Sequence, residues 1–367
     1  MRPESEAELA GMVRAAAGPL RIVGGGTRGF GRALPGEVLE TGGLAGIVLY
    51  EPGALTLVAA AGTATAELEA ALAAEAQRMP FEVPDLRGLL GRAGQSTIGG
   101  VVAANASGPR RVQAGACRDS LIGVRFVDGR GDVIRNGGRV MKNVTGYDLV
   151  RLMAGSQGTL GVVTEVAFKV LPKPETSATL VLHGLGVADA VAAMAVALGT
   201  PWEVTGAAHV PGQGPGAGTW LRLEGFAGSV EYRAARLSAV LARFGGAERA
   251  GTDPWPAVRD VSGFAGRAGD VWRLSVRPTD APAIVGRIGA EDYMLDWGGG
   301  LIWALVEPGV DLRARLGAFA GHASRVRGAE AGIAAFQPEP AANAALARGL
   351  RAEFDPRGIF NAGLMEA

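Results

Sequence analysis

The 367-residue chain has a single cysteine, Cys117, which excludes an internal disulfide, a CxxC zinc site and an iron–sulfur cluster of its own. Histidine is nearly absent. His183, His209 and His322 are the full set, and their separation gives no ligand-type spacing. Net charge is also missing, because 36 basic residues cancel 36 acidic ones, and this removes any whole-chain electrostatic case for nucleic acid. No uninterrupted apolar run approaches the roughly 18–20 residues of a membrane span. The opening MRPESEAELAG lacks an apolar h-region, so no signal peptide is predicted and the chain reads as cytoplasmic. In that setting the triplets Asn105-Ala106-Ser107 and Asn143-Val144-Thr145 are chance matches to a glycosylation pattern. Arg130-Gly131-Asp132 reads as part of a hairpin turn rather than an adhesion motif.

What is present in quantity is apolar surface and glycine. Hydrophobic residues make up 48% of the chain against 20% charged, which is enough for a sizeable core and argues against disorder. The length favours two domains. The 58 glycines fall in short runs between apolar segments, a pattern of tight turns and close backbone–ligand approaches.

Ser5 with Glu8 predicts a capping box for a helix ending near Gly18. LRIVGGG reads as a buried strand entering a glycine loop, and TLVAAAG as a second strand before a helix over 65–77. The small apolar stretch 98–104 breaks at Ser107-Gly108-Pro109. LIGVRFVDGRGDVIRNG predicts a hairpin turning at Asp128-Gly129, and GVVTEVAFKVLP a closing strand, with Pro172 and Pro174 marking a domain boundary. Beyond it the pattern repeats. Strand 179–185, helix 187–198, strands 203–210 and 218–225 and helix 229–244 are followed by strand 270–277, helix 280–288, strands 292–297 and 300–306 and a helix near 310–319. Two β-α-β-β-α units predict an antiparallel sheet covered by helices.

Val23-Gly24-Gly25-Gly26-Thr27 follows a strand, and bare backbone there lets N–H groups approach phosphate oxygens. Gly24, Gly26 and Gly29 also satisfy G-x-G-x-x-G. A Rossmann site, however, needs a helix opening from the loop, and Pro35, Gly36, Gly42 and Gly43 prevent a sustained one. Taken alone, the loop is also readable as an ordinary glycine turn.

Two further blocks decide between these readings. GQSTIGGVVAANASGPRRVQAGACRD (94–119) and KNVTGYDLVRLMAGSQGTLGVVTEVAFKVLP (142–172), with the closing FDPRGIFNAG, resemble the vanillyl-alcohol-oxidase (PCMH-type) FAD-binding family in order and spacing. Within it, FEVPDLRG, IGGVVAANASGPRRVQAGACRDSLIGVRFVDGRG and VMKNVTGYDL are similar to the flavin-binding E subunits of bacterial glycolate oxidases.

The resemblance implies an α+β fold: a two-subdomain FAD-binding domain over 1–174, an antiparallel-sheet cap over 175–335, and a C-terminal segment 336–367 returning to the first domain. It implies that Gly24, Gly25, Gly26 and Thr27 contact the pyrophosphate, and that Ser96, Thr97, Ile98, Gly99 and Gly100 form a second phosphate and ring loop. Ser107 and Gly108 fall beside the flavin edge, Arg118 and Asp119 support the site, and Gly161 and Val162 touch the cofactor through their backbone. A plain core strand is the alternative for Val162. Lys142, Asn143 and Tyr147 either face the flavin or a subunit contact, or are solvated loop residues.

Some relatives tether the flavin through a His in the first loop or a Cys in the second. Here no His precedes His183, position 95 is Gln and Cys117 comes too late, so non-covalent FAD is expected. Catalytic residues stay unassigned. Oxidising a 2-hydroxy acid needs a base and cations for the carboxylate, yet the three histidines read as structural or surface residues. Arg273, Trp297 and Trp303 on cap strands are pocket candidates only. Three functions remain open: a flavin subunit of a glycolate oxidase complex beside a larger D-type flavin subunit and an iron–sulfur subunit, a self-sufficient hydroxy-acid or sugar-acid dehydrogenase, and a flavin-stabilised assembly subunit. In the first, the complex acts on a small 2-hydroxy acid and associates with a membrane, if at all, through its partners.

Overall fold

The computed structural model describes residues 1–29, 34–138, 146–213, 216–290, 292–328 and 332–365. Lys142 and Asn143 lie outside these, while Tyr147 is 89% exposed.

The chain opens with a helix over Glu6–Ala15. The Ser5 hydroxyl accepts the Glu8 N–H at 3.2 Å, but the Glu8 carboxylate accepts the N–H of Glu4 at 2.8 Å, one residue from the reciprocal partner that a capping box requires. Leu9, Ala10 and Val13 bury one helix face against Leu20, Leu39, Val127, Val162, Ile359 and Phe360. Strand Leu20–Val23 pairs in parallel with Glu37–Glu40. The chain's end returns to this edge, where Phe360 bridges Leu20 and the Asn361 side chain joins Ile22 N (2.8 Å) to Gln157 O (2.8 Å).

A five-stranded antiparallel sheet follows, in the order Ile47–Glu51, Thr56–Ala60, Val162–Lys169, Leu121–Val127, Val133–Gly137. Leu57, Ala59, Val124, Phe126, Val166 and Phe168 bury against Leu68 and Leu72 of helix Thr65–Ala74 and Val101 and Val102 of helix Ile98–Ala103. The hairpin expected around Asp128-Gly129 is formed by the last two strands of this order.

The second half builds an eight-stranded sheet: Glu248–Arg249, Thr176–Leu182, Gly218–Gly225, Val204–Val210, Asp292–Asp296, Leu301–Val306, Asp270–Val276, Gly321–Arg327. The two repeat units meet where His209 pairs with Leu295. Helices Val187–Leu198, Ala227–Leu241 and Ala281–Ile288 match the expected helical segments closely. The helix expected near 310–319 covers only Leu312–Leu316, because Gly317 turns the chain at φ +63° into an unanticipated edge strand.

The two faces of this sheet differ. Leu221, Leu223, Trp272, Leu274, Ile302 and Ala304 point to the helices. Their strand neighbours Trp220, Arg222, Glu224, Arg273 and Trp303 point the other way, as a period of two demands. Much of that second face is covered by protein rather than open to water. It packs on Leu86, Leu89 and Leu90 from the first half, so its polar residues line the junction between the lobes.

Candidate functional site

The glycine loop and the 94–100 segment lie against each other. The turn after Val23 leads into no helix among the described residues, and the next described element is strand Glu37–Glu40. A Cβ on Gly25 would overlap the Gln95 carbonyl, so the two backbones touch there. At Gly99 an added Cβ would lie 2.7 Å from the Ala61 Cβ and 2.8 Å from its oxygen. Thr65 N donates to Ser96 O at 2.8 Å, Ile98 N to Thr63 O at 3.0 Å and Gly99 N to Ala61 O at 2.7 Å, which pins the second loop to the sheet. Thr97 caps helix Ile98–Ala103 by accepting the Gly100 N–H at 3.4 Å. The N–H groups of Gly25, Gly26 and Thr27 have no acceptor among the described residues. These free donors form a cradle that bare backbone keeps open, which fits a diphosphate.

Arg28 joins this cradle and was not singled out in the sequence. Its guanidinium donates to Ser96 Oγ at 2.5 Å, Thr27 Oγ1 at 3.3 Å and Pro84 O at 2.7 Å, while Nε is buried without a partner. Burial lowers its pKa to about 10, opposed by Asp85, and leaves a cation between the two loops. An arginine directly after a glycine loop was the available signal.

Ser107 and Gly108 sit where the lobes meet. Ser107 Oγ accepts Cys117 N at 2.9 Å, Asn105 Oδ1 accepts Arg118 N at 3.1 Å, and Asp119 Oδ2 accepts Ala116 N at 2.8 Å. Asp119 thus shapes the loop, and Arg118 lies 3.8 Å from it on the surface. Gly108 donates its N–H to Glu82 O at 2.9 Å, and its carbonyl accepts the Trp297 indole N–H at 3.1 Å. Gly161 and Val162 behave differently. An added Gly161 Cβ would press on Phe126, and Val162 is fully buried in the core beneath the first helix. Cys117 is also fully buried, with its thiol pKa pushed well up by desolvation.

The junction holds an ion network between residues far apart in sequence. Arg222 donates to Glu82 at 2.8 and 3.1 Å, and Arg110 to Glu224 at 2.6 and 3.0 Å. Arg78 lies 3.8 Å from Glu224, and Arg222 stacks 4.5 Å over Trp255. Burial alone would raise the Glu82 carboxyl, but Arg222 and Arg110 hold it below its ordinary value. Glu224 is likewise drawn against burial to about 2 by Arg110, Arg222 and Arg78.

Beside this network, Arg111 and Arg273 lie over the Trp297 ring at 4.4 and 5.0 Å, and Arg273 lies 6.0 Å from Trp303. Burial and then Arg111 lower the Arg273 pKa to about 10. Asp296 accepts the Trp297 N–H at 2.7 Å, and burial raises its pKa to about 7, with Glu82 adding and Arg222 and Arg273 opposing. Arg273, Trp297 and Trp303 are therefore brought together, and Arg111 and Asp296 join them unforeseen. The histidines separate. His183 is an exposed partner of Glu248, and His209 is buried on the helix side with Thr219 at 3.0 Å. His322 pairs in register with Ser275 and shares the face of Arg273, where partial desolvation and then Arg273 and Arg111 lower its proton affinity. Among the described residues no three His, Cys, Asp or Glu gather to hold a metal, and no helix is long and apolar enough to cross a membrane.

Residues 1–137 match the family described as FAD binding domain. Glycolate oxidase subunit GlcE of Escherichia coli (strain K12) is 37% identical over 352 residues, 95% of this chain and 93% of that protein. Glycolate oxidase subunit GlcD of Bacillus subtilis is 53% identical over 85 residues, 23% of this chain and 18% of that one. D-lactate dehydrogenase of Anaerostipes hadrus is 39% identical over 97 residues, 26% and 20% of the two chains. An alkyldihydroxyacetonephosphate synthase structure superposes with TM-score 0.69 at 16% identity over 98% of this chain and 76% of that one, a likeness of fold. The expected α+β architecture, a flavin-type domain with an antiparallel-sheet cap, is thus the observed one. On identity across nearly its whole length, the chain belongs to the FAD-linked glycolate oxidase subunit family typified by GlcE, and its cofactor is FAD.

Proposed function

We propose that this chain is the flavin-holding subunit of a complex that oxidises a small 2-hydroxy acid, glycolate to glyoxylate, and passes the electrons to its partners. The near full-length identity to a glycolate oxidase subunit carries the reading. The partners are a larger D-type flavin subunit and an iron–sulfur subunit, needed because Cys117 alone cannot ligate a cluster. The complex is cytoplasmic, and any membrane association runs through these partners.

The FAD is held without a covalent bond. Gly24, Gly25, Gly26 and Thr27 and the 96–100 loop take the diphosphate on backbone N–H groups, with Arg28 supplying the balancing charge. Ser107 and Gly108 lie at the ring's edge, Arg118 and Asp119 hold that loop, and Gly161 and Val162 back the site through main-chain packing. Bound FAD supplies the two-electron acceptor. The chain's own residues enclose it, with 1–174 as flavin domain, 175–335 as cap and 336–367 as a clasp on the first domain.

Purification of the chain alone and with its partners tests the reading. One FAD per chain is expected, released by acid and absent from the polypeptide band on a denaturing gel. Negligible glycolate oxidation with a dye acceptor is expected from the single chain, with activity restored on mixing. Turnover by the single chain comparable to the complex would establish a self-sufficient dehydrogenase. Full complex activity after loss of FAD from this chain would make it an assembly subunit.

A further inference from the structure

We propose that Arg111, Arg273 and the Trp297 indole form a seat for a small carboxylate, and that the ligand it takes is a 2-hydroxy acid of glycolate size. The choice of a hydroxy acid rests on the function proposed above, whereas the carboxylate chemistry follows from the residues.

The first reason is charge that the protein leaves unmatched. Both guanidiniums lie over one ring, at 4.4 and 5.0 Å, and neither makes a hydrogen bond or ion pair among the described residues. The other arginines at the lobe junction have a carboxylate or carbonyl neighbour, although Arg78 Nε and Nη1 make no hydrogen bond and Arg327 meets only main-chain carbonyls. Arg78 and Arg110 face Glu224, Arg222 faces Glu82 and Arg259 faces Asp260 at 2.7 Å. Asp296, the carboxyl that acts on Arg273, is turned to the Trp297 backbone N–H, and Asp119, which acts on Arg111, accepts the Ala116 N–H. Two half-buried like charges repel, and Asp296 and Asp119 offset this from a distance without pairing to either guanidinium, so an arriving anion gains a direct partner that neither supplies.

The second reason is the platform. Trp297 is held at φ +54°, in the left-handed region that a bulky residue rarely adopts, and its indole N–H donates to Gly108 O at 3.1 Å. The indole is thereby fixed between a residue of each lobe, next to the Ser107-Gly108 turn. Trp303 and Met294, each 6% exposed, belong to the apolar cluster on the same face of the sheet, and Arg273 pairs with Trp303 in register. A guanidinium fork matches a carboxylate in two parallel hydrogen bonds, and an indole face tolerates the short hydrocarbon of a small acid. Because Arg273 lies on the sheet face turned toward the first lobe and Arg111 on the facing helix Arg111–Ala114 of that lobe, a free small acid fits better than a side chain of a partner protein.

The test uses the flavin-loaded chain, titrated with glycolate by calorimetry, beside Arg273→Met, Arg111→Met and Arg273→Lys. Flavin absorbance and a thermal melt are recorded for each variant. Saturable glycolate binding is expected in the wild-type chain, with acetate competing. Each Met variant should weaken binding about tenfold or more at unchanged flavin content, and the Lys variant should recover part of it. No saturable binding by a folded wild-type chain overturns the seat and assigns the arginines to a partner's acidic side chain. Unchanged affinity in folded Met variants on both lobes overturns it equally. A wild-type chain that purifies without flavin would instead sink the cofactor reading, and glycolate titration of that protein would still decide the seat.

Discussion

The Trp297 indole N–H and the Gly108 carbonyl oxygen, 189 residues apart in sequence, meet at 3.1 Å and tie the cap's central turn to the loop beside the proposed flavin edge. Around this bond the molecule places opposite electrostatic arrangements side by side. The Glu82–Arg222 and Arg110–Glu224 pairs are closed and mutually satisfied, whereas Arg111 and Arg273 are left open. The first arrangement ties the lobes together, and the second is the seat proposed above.

Gly25→Ala is expected to lose FAD. Its new methyl group meets the Gln95 carbonyl, so the two loops must part. Overpacking of this kind costs about 1–3 kcal/mol, and it also spoils the row of free N–H groups. Flavin absorbance per protein after desalting measures the effect. Full occupancy would mean the diphosphate lies elsewhere.

Breaking the lobe junction should be most damaging when only one partner is removed. Arg222→Met leaves the Glu82 carboxylate buried and poorly matched, at roughly 3–5 kcal/mol, and Glu82→Gln should also destabilise. The double variant Glu82→Met with Arg222→Met should lose less than the sum of the two single Met variants. Urea unfolding of the four proteins gives the cycle, and strictly additive losses would show that the pair does not couple.

Asp296 predicts a pH effect of definite sign. Its folded pKa is raised from 3.8 to about 7 by burial, so the folded chain holds a proton that the unfolded chain releases. Between roughly pH 4 and 7 this group therefore removes stability as pH rises. Asp296→Asn keeps an acceptor for the Trp297 N–H. The variant should match wild type near pH 4 and exceed it at pH 7, by roughly 2–4 kcal/mol at most. Glu224 acts oppositely. Its folded pKa of about 2 provides stability above its unfolded value, lost as acid takes pH down through 2. Denaturant melts across this range, wild type against Asp296→Asn, decide the point. A constant offset between the two would count against a buried, protonated Asp296.

Cys117 should be inert in the native protein, because its side chain is fully buried and its thiol is held protonated. A chromogenic disulfide reagent is expected to label none of the folded chain and one thiol per chain in denaturant. Prompt stoichiometric labelling without denaturant would put that loop on the surface.

Much of the architecture was legible because its determinants are local. Glycine runs after strands, the Asp128-Gly129 hairpin and the strand–helix alternation from 176 to 306 act over a few residues, and the structure places those elements within a few positions of expectation. The edge strand Gly321–Arg327 escaped, since one left-handed glycine at 317 decides where helix ends and strand begins. Within the proposed site, the glycine loops were readable from backbone requirements alone. Arg28, Arg111 and Asp296 were not, because a charged residue in sequence looks the same whether it meets water, a carboxylate or an indole. Local sequence determined which residues of a cap strand share a face. Only the tertiary structure decided that the polar face of that sheet would turn toward the first lobe rather than solvent. Low-dielectric burial there is what pairs Arg222 with Glu82, lifts Asp296 and sets Arg273 over the Trp297 ring without an ion-pair partner among the described residues.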